Sequence, residues 1–255
     1  MPTAEIITIG TELLLGEIVD TNTRVIARAL RDVGVDIYRT ATVGDNAERI
    51  AEIMRESLYR AEIVITTGGL GPTVDDPTRE AAALAFGVET EFRAELWEQI
   101  KDRFRHLGRI PTENNRRQAY VPQNALALEN QWGTAPAFLV ENEGHVLISL
   151  PGVPYEMKNL LSDKVMPYLR VHFDLQEVIK TRSLHTVGIT ESRIDELIDE
   201  LERLDNPTVG LAAHRDSISI RITAKASSEG EAEALIDEME GLLRALLEEW
   251  IIDLE

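Results

Sequence analysis

Up to about residue 170 the apolar positions switch repeatedly between strand-like and helix-like spacing. Glu5–Gly10 (EIITIG) reads as a strand. Residues 22–33 then place Val25, Ile26, Ala29, Leu30 and Val33 on one helical face, and Gly34 stands at the expected stop. Ile37–Val43 predicts the next strand. Ile50, Ile53, Met54, Ser57 and Leu58 mark a second amphipathic helix, with Asp45 or Asn46 as its cap. Ile63–Thr67 is a short β-branched run suited to a buried central strand. Helices are expected from Pro77 and from near Phe92, the latter carrying Leu96, Ile100, Phe104 and Leu107. Ala137–Val140 and His145–Leu150 predict a hairpin turning at Asn142–Gly144. This alternation predicts an α/β fold, a mostly parallel sheet flanked by helices. Ligands of such sheets bind at the carboxyl ends of the strands.

Around Asp174–Lys180 the pattern changes. A strand at Thr181–Val187, a helix at Glu191–Leu204, strands at Val209–Ala213 and Ser217–Ala224, and a helix at Glu229–Trp250 predict a small α+β unit. Ile218, Ile220 and Ile222 alternate along its central strand. The expected domains are residues 1–172 and 173–255.

Composition narrows the classes. The 255 residues are 44% apolar and 28% charged, as in an ordinary globular protein, which excludes a disordered chain. No apolar run approaches the roughly 18 residues of a membrane-spanning helix, and no signal peptide is visible, so a cytoplasmic protein is expected. Without cysteine there is no disulfide, thiolate metal site or thiol nucleophile. A net charge of −19 repels nucleic acid and anionic membranes. It leaves room for a small anion held by backbone amides and one metal ion.

Four segments are candidates for the chemistry. In Ile65–Thr78 (ITTGGLGPTVDDPT) a strand runs into Gly68, Gly69 and Gly71 just before a helix. Glycines there let several N–H groups face one anion, and the helix N-terminus adds unpaired donors. Asp75 and Asp76 would repel that anion unless a divalent cation lies between. The plainer reading is that Asp76 caps the helix beginning at Pro77. In Ile9–Thr23 a strand ends at Gly10, followed by Thr11 and Glu12, with Asp20, Asn22 and Thr23 opening the next helix. Glu12 is placed to bind metal or a ligand hydroxyl, whereas the later residues also suit helix capping. In Ser149–Met157 a strand meets Pro151 and Gly152, and a helix restarts at Pro154. Glu156 there is either a ligand contact or a dipole-compensating charge. Asn114–Ala119 (NNRRQA) is a local basic cluster. Arg116, Arg117 and Gln118 are placed to grip phosphate or to form a solvated helix face. The five histidines show no paired ligand spacing.

Taken in order, GTELLLG (10–16), NT (22–23), VGD (43–45), TGGLGPTVDDPT (67–78), RQA (117–119), GTAP (133–136), LPGVPYEM (150–157) and GITES (188–192) resemble the CinA family of competence/damage-inducible proteins. Its N-terminal domain is similar to molybdopterin-binding domains, and its second to KH-type modules. Ala137 departs from the Gly common after GTAP. The resemblance implies a metal-dependent nucleotide pyrophosphatase acting on ADP-ribose or a similar dinucleotide such as FAD, with Mg, Mn or Co. The alternative is a molybdopterin-binding or molybdenum-cofactor biosynthesis protein without hydrolase activity. Carried onto this sequence, Asp76, Asp75 and Glu12 are catalytic, and Asp75, Asp76 and Asp45 bind metal. Gly10, Thr11, Asn22, Gly68, Gly69, Gly71, Thr73, Arg117, Gln118, Pro151, Gly152 and Glu156 contact substrate. A homodimer is implied. Full-length relatives often add a nicotinamide-nucleotide amidase domain; the chain stops soon after the α+β unit, so that activity is not expected of it. Residues 173–255 hold no GXXG loop and are strongly acidic, which argues against RNA as a partner.

Overall fold

A computed structural model describes residues 2–252. The chain divides into two compact units, one formed by the residues up to Arg31 with Val35–Asp174, the other by Asp32–Gly34 with the residues from Leu175 onward.

In the first unit the order is β1 (Thr3–Ile9), α1 (Thr11–Leu14), α2 (Asn22–Arg31), β2 (Asp36–Val43), α3 (Ala47–Arg60), β3 (Ile63–Thr67), α4 (Thr78–Phe86), β4 (Thr90–Phe92), α5 (Ala94–His106), β5 (Tyr120–Pro122), β6 (Leu126–Leu128), β7 (Ala137–Asn142), β8 (His145–Leu150), α6 (Pro154–Leu160) and α7 (Met166–His172). A 3₁₀ helix at Glu113–Ala119 precedes β5. Six strands form one sheet in the order β2-β1-β3-β8-β7-β6, and β4 pairs with β5 apart from it. The β1–β2, β1–β3 and β3–β8 pairs are parallel; β7 and β6 join antiparallel. The sheet is therefore mixed and mostly parallel. Central β3 is buried along its whole length, as its β-branched run requires when helices cover both faces. Met54 of α3, Ala81 and Ala82 of α4, and Leu96 and Ile100 of α5 pack into one core with Ile7, Val64 and Leu147. Each fully buried aliphatic side chain contributes about 1.5–3 kcal/mol.

Register explains how distant segments meet. Thr8 pairs with Thr67, and Thr67 with Leu150. The chain leaving β1 at Gly10, β3 at Gly68 and β8 at Pro151 thus emerges side by side at one sheet edge. The expected hairpin is β7–β8, with Asn142 opposite His145 and both Glu143 and Gly144 at positive φ.

The second unit contains β9 (Val178–Thr186), α8 (Glu191–Glu202), β10 (Thr208–Ala213), β11 (Ile218–Ala226), α9 (Glu229–Leu247) and β12 (Ile251–Ile252). Its antiparallel sheet runs β10-β11-β9-β12. Ile218, Ile220 and Ile222 bury against Ile194 and Ile198 of α8 and Ile236, Met239 and Leu243 of α9.

Several local expectations are corrected. Pro77 is the residue before α4 rather than its first. Asn46, not Asp45, caps α3, accepting the Arg49 N–H at 3.0 Å. The last helix stops at Leu247, and the chain continues into β12 instead of remaining helical to Trp250. No helix among the described residues is long and apolar enough to cross a membrane.

Candidate functional site

The loop from β3 to α4 is built so that its carbonyls face the protein. The Thr78 hydroxyl donates to the Gly68 carbonyl at 2.8 Å, the Thr78 N–H donates to the Gly69 carbonyl at 3.2 Å, and Arg79 Nη2 donates to the Leu70 carbonyl. In a trans peptide the N–H points opposite to the carbonyl. Fixing these three carbonyls turns the amides of Gly69, Leu70 and Gly71 the other way. None of the three has an acceptor among the described residues. Successive outward amides of this kind make an anion-binding concavity.

Gly68 (φ 111°) and Gly69 (φ 64°) hold the left-handed backbone this requires. A Cβ at Gly68 would overlap the Ile9 carbonyl oxygen, and one at Gly69 the Thr78 hydroxyl. Gly152 comes near from the β8 side, less closely, where a Cβ would lie 3.3 Å from Gly68 Cα. Asn22 clamps these loops. Its Nδ2 donates to Thr67 Oγ1 at 3.0 Å and to the Gly152 carbonyl at 2.9 Å, and Thr67 Oγ1 donates to the Pro151 carbonyl at 2.9 Å.

The loops enclose a cavity of about 500 Å³, within the roughly 300–1,000 Å³ of small-molecule sites. Of the sequence-named residues, Gly10, Glu12, Asp45, Gly68, Gly69, Gly71, Thr73, Asp75, Asp76, Gln118, Pro151, Gly152 and Glu156 line it. Thr11 and Asn22 stand behind it as supports. Arg117 is exposed and is not among the lining residues, and Arg116 lies over the Phe92 ring and pairs with Glu113. From NNRRQA only Gln118 reaches the cavity, its Nε2 donating to Thr134 Oγ1 at 3.3 Å.

The five lining carboxylates fall into two groups. Asp45 Oδ2 accepts the Thr11 N–H and hydroxyl at 2.9 and 2.8 Å, which ties the start of α1 to the loop after β2. Asp76 Oδ2 accepts the Thr73 N–H and hydroxyl at 2.8 and 2.6 Å, which closes the turn before α4 and replaces the expected helix cap. Glu156 Oε2 accepts the Asn130 amide at 2.6 Å; burial raises its pKa, opposed by that hydrogen bond and by the Arg103 charge. The Glu12 and Asp75 carboxylates are held by no hydrogen bond or ion pair among the described residues.

No group of three or more His, Asp or Glu among the described residues is arranged to hold a metal ion by itself. The donor set suits a different arrangement. Mg²⁺ commonly takes one or two carboxylates, ligand phosphate oxygens and waters. Glu12 and Asp75, the lining carboxylates with both oxygens uncommitted, are the donors open to an ion that arrives with a phosphate.

Arg79 is absent from the sequence-based site. It is 2% exposed and forms no ion pair among the described residues; its Nη1 reaches the Gly71 carbonyl at 3.2 Å and its Nε has no acceptor. Desolvation pushes its pKa down to about 10, against the opposing pull of Glu80 and Asp76. Its place in the polar stretch PTRE gives no signal of burial. Asn130 was also missed. Beyond Glu156, it accepts the Trp132 and Gly133 N–H groups and so shapes the 130–135 loop.

Residues 5–171 match the family profile described as "Probable molybdopterin binding domain", and residues 181–252 that described as "Damage-inducible protein CinA KH domain". The crystal structure of a CinA protein of unknown function from Thermoplasma acidophilum is similar, with a TM-score of 0.60 and 33% identity. It covers 64% of this chain and 98% of that one. The chain belongs to the CinA family. Two CinA-family relatives, each named "Putative competence-damage inducible protein", are from Caldicellulosiruptor saccharolyticus and Clostridioides difficile. Both are 42% identical, over 253 and 249 residues, covering 99% and 97% of this chain but 61% and 59% of their own length. This chain therefore spans about three fifths of those relatives.

Proposed function

We propose that the first unit binds and hydrolyses a dinucleotide pyrophosphate, ADP-ribose or a similar compound such as FAD, with a divalent cation (Mg, Mn or Co). The observation that carries this reading is the row of three unpaired amides, Gly69 to Gly71, beside the uncommitted Glu12 and Asp75. In the reaction a water oxygen bonds to one phosphorus and the bridging P–O bond breaks. Two phosphate monoesters form, and the water's protons pass to the products and solvent. The loop amides hold the non-bridging oxygens and stabilise charge that develops on them. Glu12 and Asp75 would supply carboxylate oxygens to the cation, which when bound polarises the phosphoryl group and lowers the pKa of water. Asn22 and Thr67 keep the loops after β3 and β8 in register around the ligand.

The family description favours a second reading, in which the cradle holds the phosphate of a molybdopterin without hydrolysis. AMP release from ADP-ribose, measured with each metal against an EDTA control, separates the two. Metal-dependent release that falls at least about a hundredfold in Asp76→Ala supports hydrolysis. Asp76→Asn, which keeps an oxygen for the Thr73 contacts, should retain the loop and still lose turnover. No release from ADP-ribose or FAD, with tight molybdopterin binding, would establish the second reading instead.

A further inference from the structure

We infer that Arg79 is a built-in counter-charge for the bound anion, a positioning residue that acts through the glycine loop without touching the ligand. The inference rests on the anion-cradle reading of that loop. A buried charge is normally paired, because desolvating an isolated ion is expensive. Arg79 is almost fully buried, yet its hydrogen-bond partners are two neutral carbonyls, Leu70 O and Gly71 O, and its Nε has none. Asp76 and Glu80 influence it through space, but among the described residues no carboxylate lies within ion-pairing distance.

The two carbonyls it holds belong to the loop that presents free amides on its other side. Pinning Leu70 O turns the Gly71 N–H away from Arg79, and Gly71 lines the cavity while Arg79 does not. Pinning Gly71 O fixes the peptide entering Pro72, which has no N–H to offer. One guanidinium thus sets the direction of the loop dipoles and adds a full positive charge behind them. In a chain of net charge −19, and behind a cavity lined by five carboxylates, Arg79 sets a positive charge against the loop where an anion is expected. The missing partner of Arg79 is the ligand, and the chemistry selected is a multiply charged phosphate in preference to a neutral or singly charged group.

Binding of inorganic pyrophosphate, alone and with Mg²⁺, tests this by isothermal titration and by its shift of Tm, in the wild type, Arg79→Met and Arg79→Lys. In Arg79→Met the affinity should fall at least about tenfold and the Tm shift vanish, while the ligand-free Tm stays within roughly 3 °C of the wild type, because loss of two hydrogen bonds is offset by removal of an unpaired charge. Arg79→Lys, which keeps the charge and loses the forked donor geometry, should bind with intermediate affinity. Unchanged pyrophosphate affinity in Arg79→Met overturns the inference. So does failure of Arg79→Met to fold, or a large fall in its ligand-free Tm, since the charge would then be stabilising the empty protein. A wild type that binds pyrophosphate neither alone nor with Mg²⁺ overturns instead the anion-cradle reading on which the inference depends.

Discussion

Thr78→Val isolates the cradle from everything around it. Valine matches threonine in shape, and Thr78 is fully buried, so the substitution leaves no cavity. It removes the hydroxyl that donates to the Gly68 carbonyl at 2.8 Å, and that carbonyl belongs to a buried residue. Leaving a buried acceptor without its donor costs about 1–3 kcal/mol. The Thr78 N–H still holds the Gly69 carbonyl, so α4 and the remainder of the loop stay in place. What is freed is the Gly68–Gly69 peptide, and with it the aim of the Gly69 amide. A hydrogen bond to an anion is worth about 1.5–3 kcal/mol, so blunting one of three should weaken pyrophosphate binding about tenfold. Thr78→Ser keeps the hydroxyl and loses a methyl group; it should lose about 1 kcal/mol of stability and bind within about twofold of the wild type. Urea unfolding and isothermal titration on the three proteins give both quantities. If Thr78→Val loses the expected stability yet binds pyrophosphate as tightly as the wild type, the Gly69 amide plays no part in holding the anion.

Gly68→Ala should cost at least about 3 kcal/mol, since it combines left-handed strain with overlap on the immovable Ile9 carbonyl, whereas Gly16→Ala, at φ 71° with open space around it, should cost only about 1–2. Equal urea midpoints for the two would show that the close approach is not the constraint. Glu5 accepts two guanidinium bonds from Arg60 at 2.7 and 2.9 Å and one from Ser57 Oγ at 2.7 Å, which hold its pKa below the ordinary value of 4.5 against the opposing effect of burial. Its contribution is therefore present above that value and lost as pH falls through the folded pKa. Glu5→Gln should be less stable than the wild type at pH 7, with the gap closing in acid; a gap independent of pH refutes the assignment. Glu156 runs the other way. Burial raises its pKa, so the wild type loses stability as pH rises through the folded value. Glu156→Gln should melt higher than the wild type at pH 8 and equal to it below pH 4.5, and identical melting at both pH values would count against a buried charged carboxylate.

The larger architecture was legible because long elements repeat a period often enough to be read. α2, α3 and α5 show helical faces, and the all-buried β3 shows as a β-branched run before glycines. The antiparallel β7–β8 hairpin was equally clear from its turn residues. What escaped is short. β4, β5 and β6 have three residues each and β12 two, too few to display an alternation, and their pairing depends on partners distant in the chain. α1 escaped for another reason. Its Leu14 is exposed, so the turn buries no apolar stripe that could announce it; Gly10 and the Asp45 carboxylate set it up instead.

The site divides along the same line between residues whose role is local and residues whose role is tertiary. Gly68, Gly69 and Gly71 were readable because a glycine cluster between a strand and a helix has few other uses. The carboxylates were readable as a set but not as individuals. Only the fold shows that Asp45 and Asp76 each spend an oxygen on a threonine while Glu12 and Asp75 spend none. One of those bonds had a local trace, since Thr73 and Asp76 stand three residues apart, the reach of a side-chain turn. The other spans Thr11 to Asp45 and had none. This division matters for interpreting variants. Removing Asp76 deletes both a lining charge and the brace of the glycine loop, so lost turnover in Asp76→Ala does not by itself locate a metal ligand. Asp75→Asn removes a charge that braces nothing among the described residues. If the cation is held where the free carboxylates stand, Asp75→Asn should weaken metal-dependent pyrophosphate binding while leaving metal-free binding as strong as in the wild type or stronger. If it weakens both equally, Asp75 acts on the anion site itself, and the cation must be held without it.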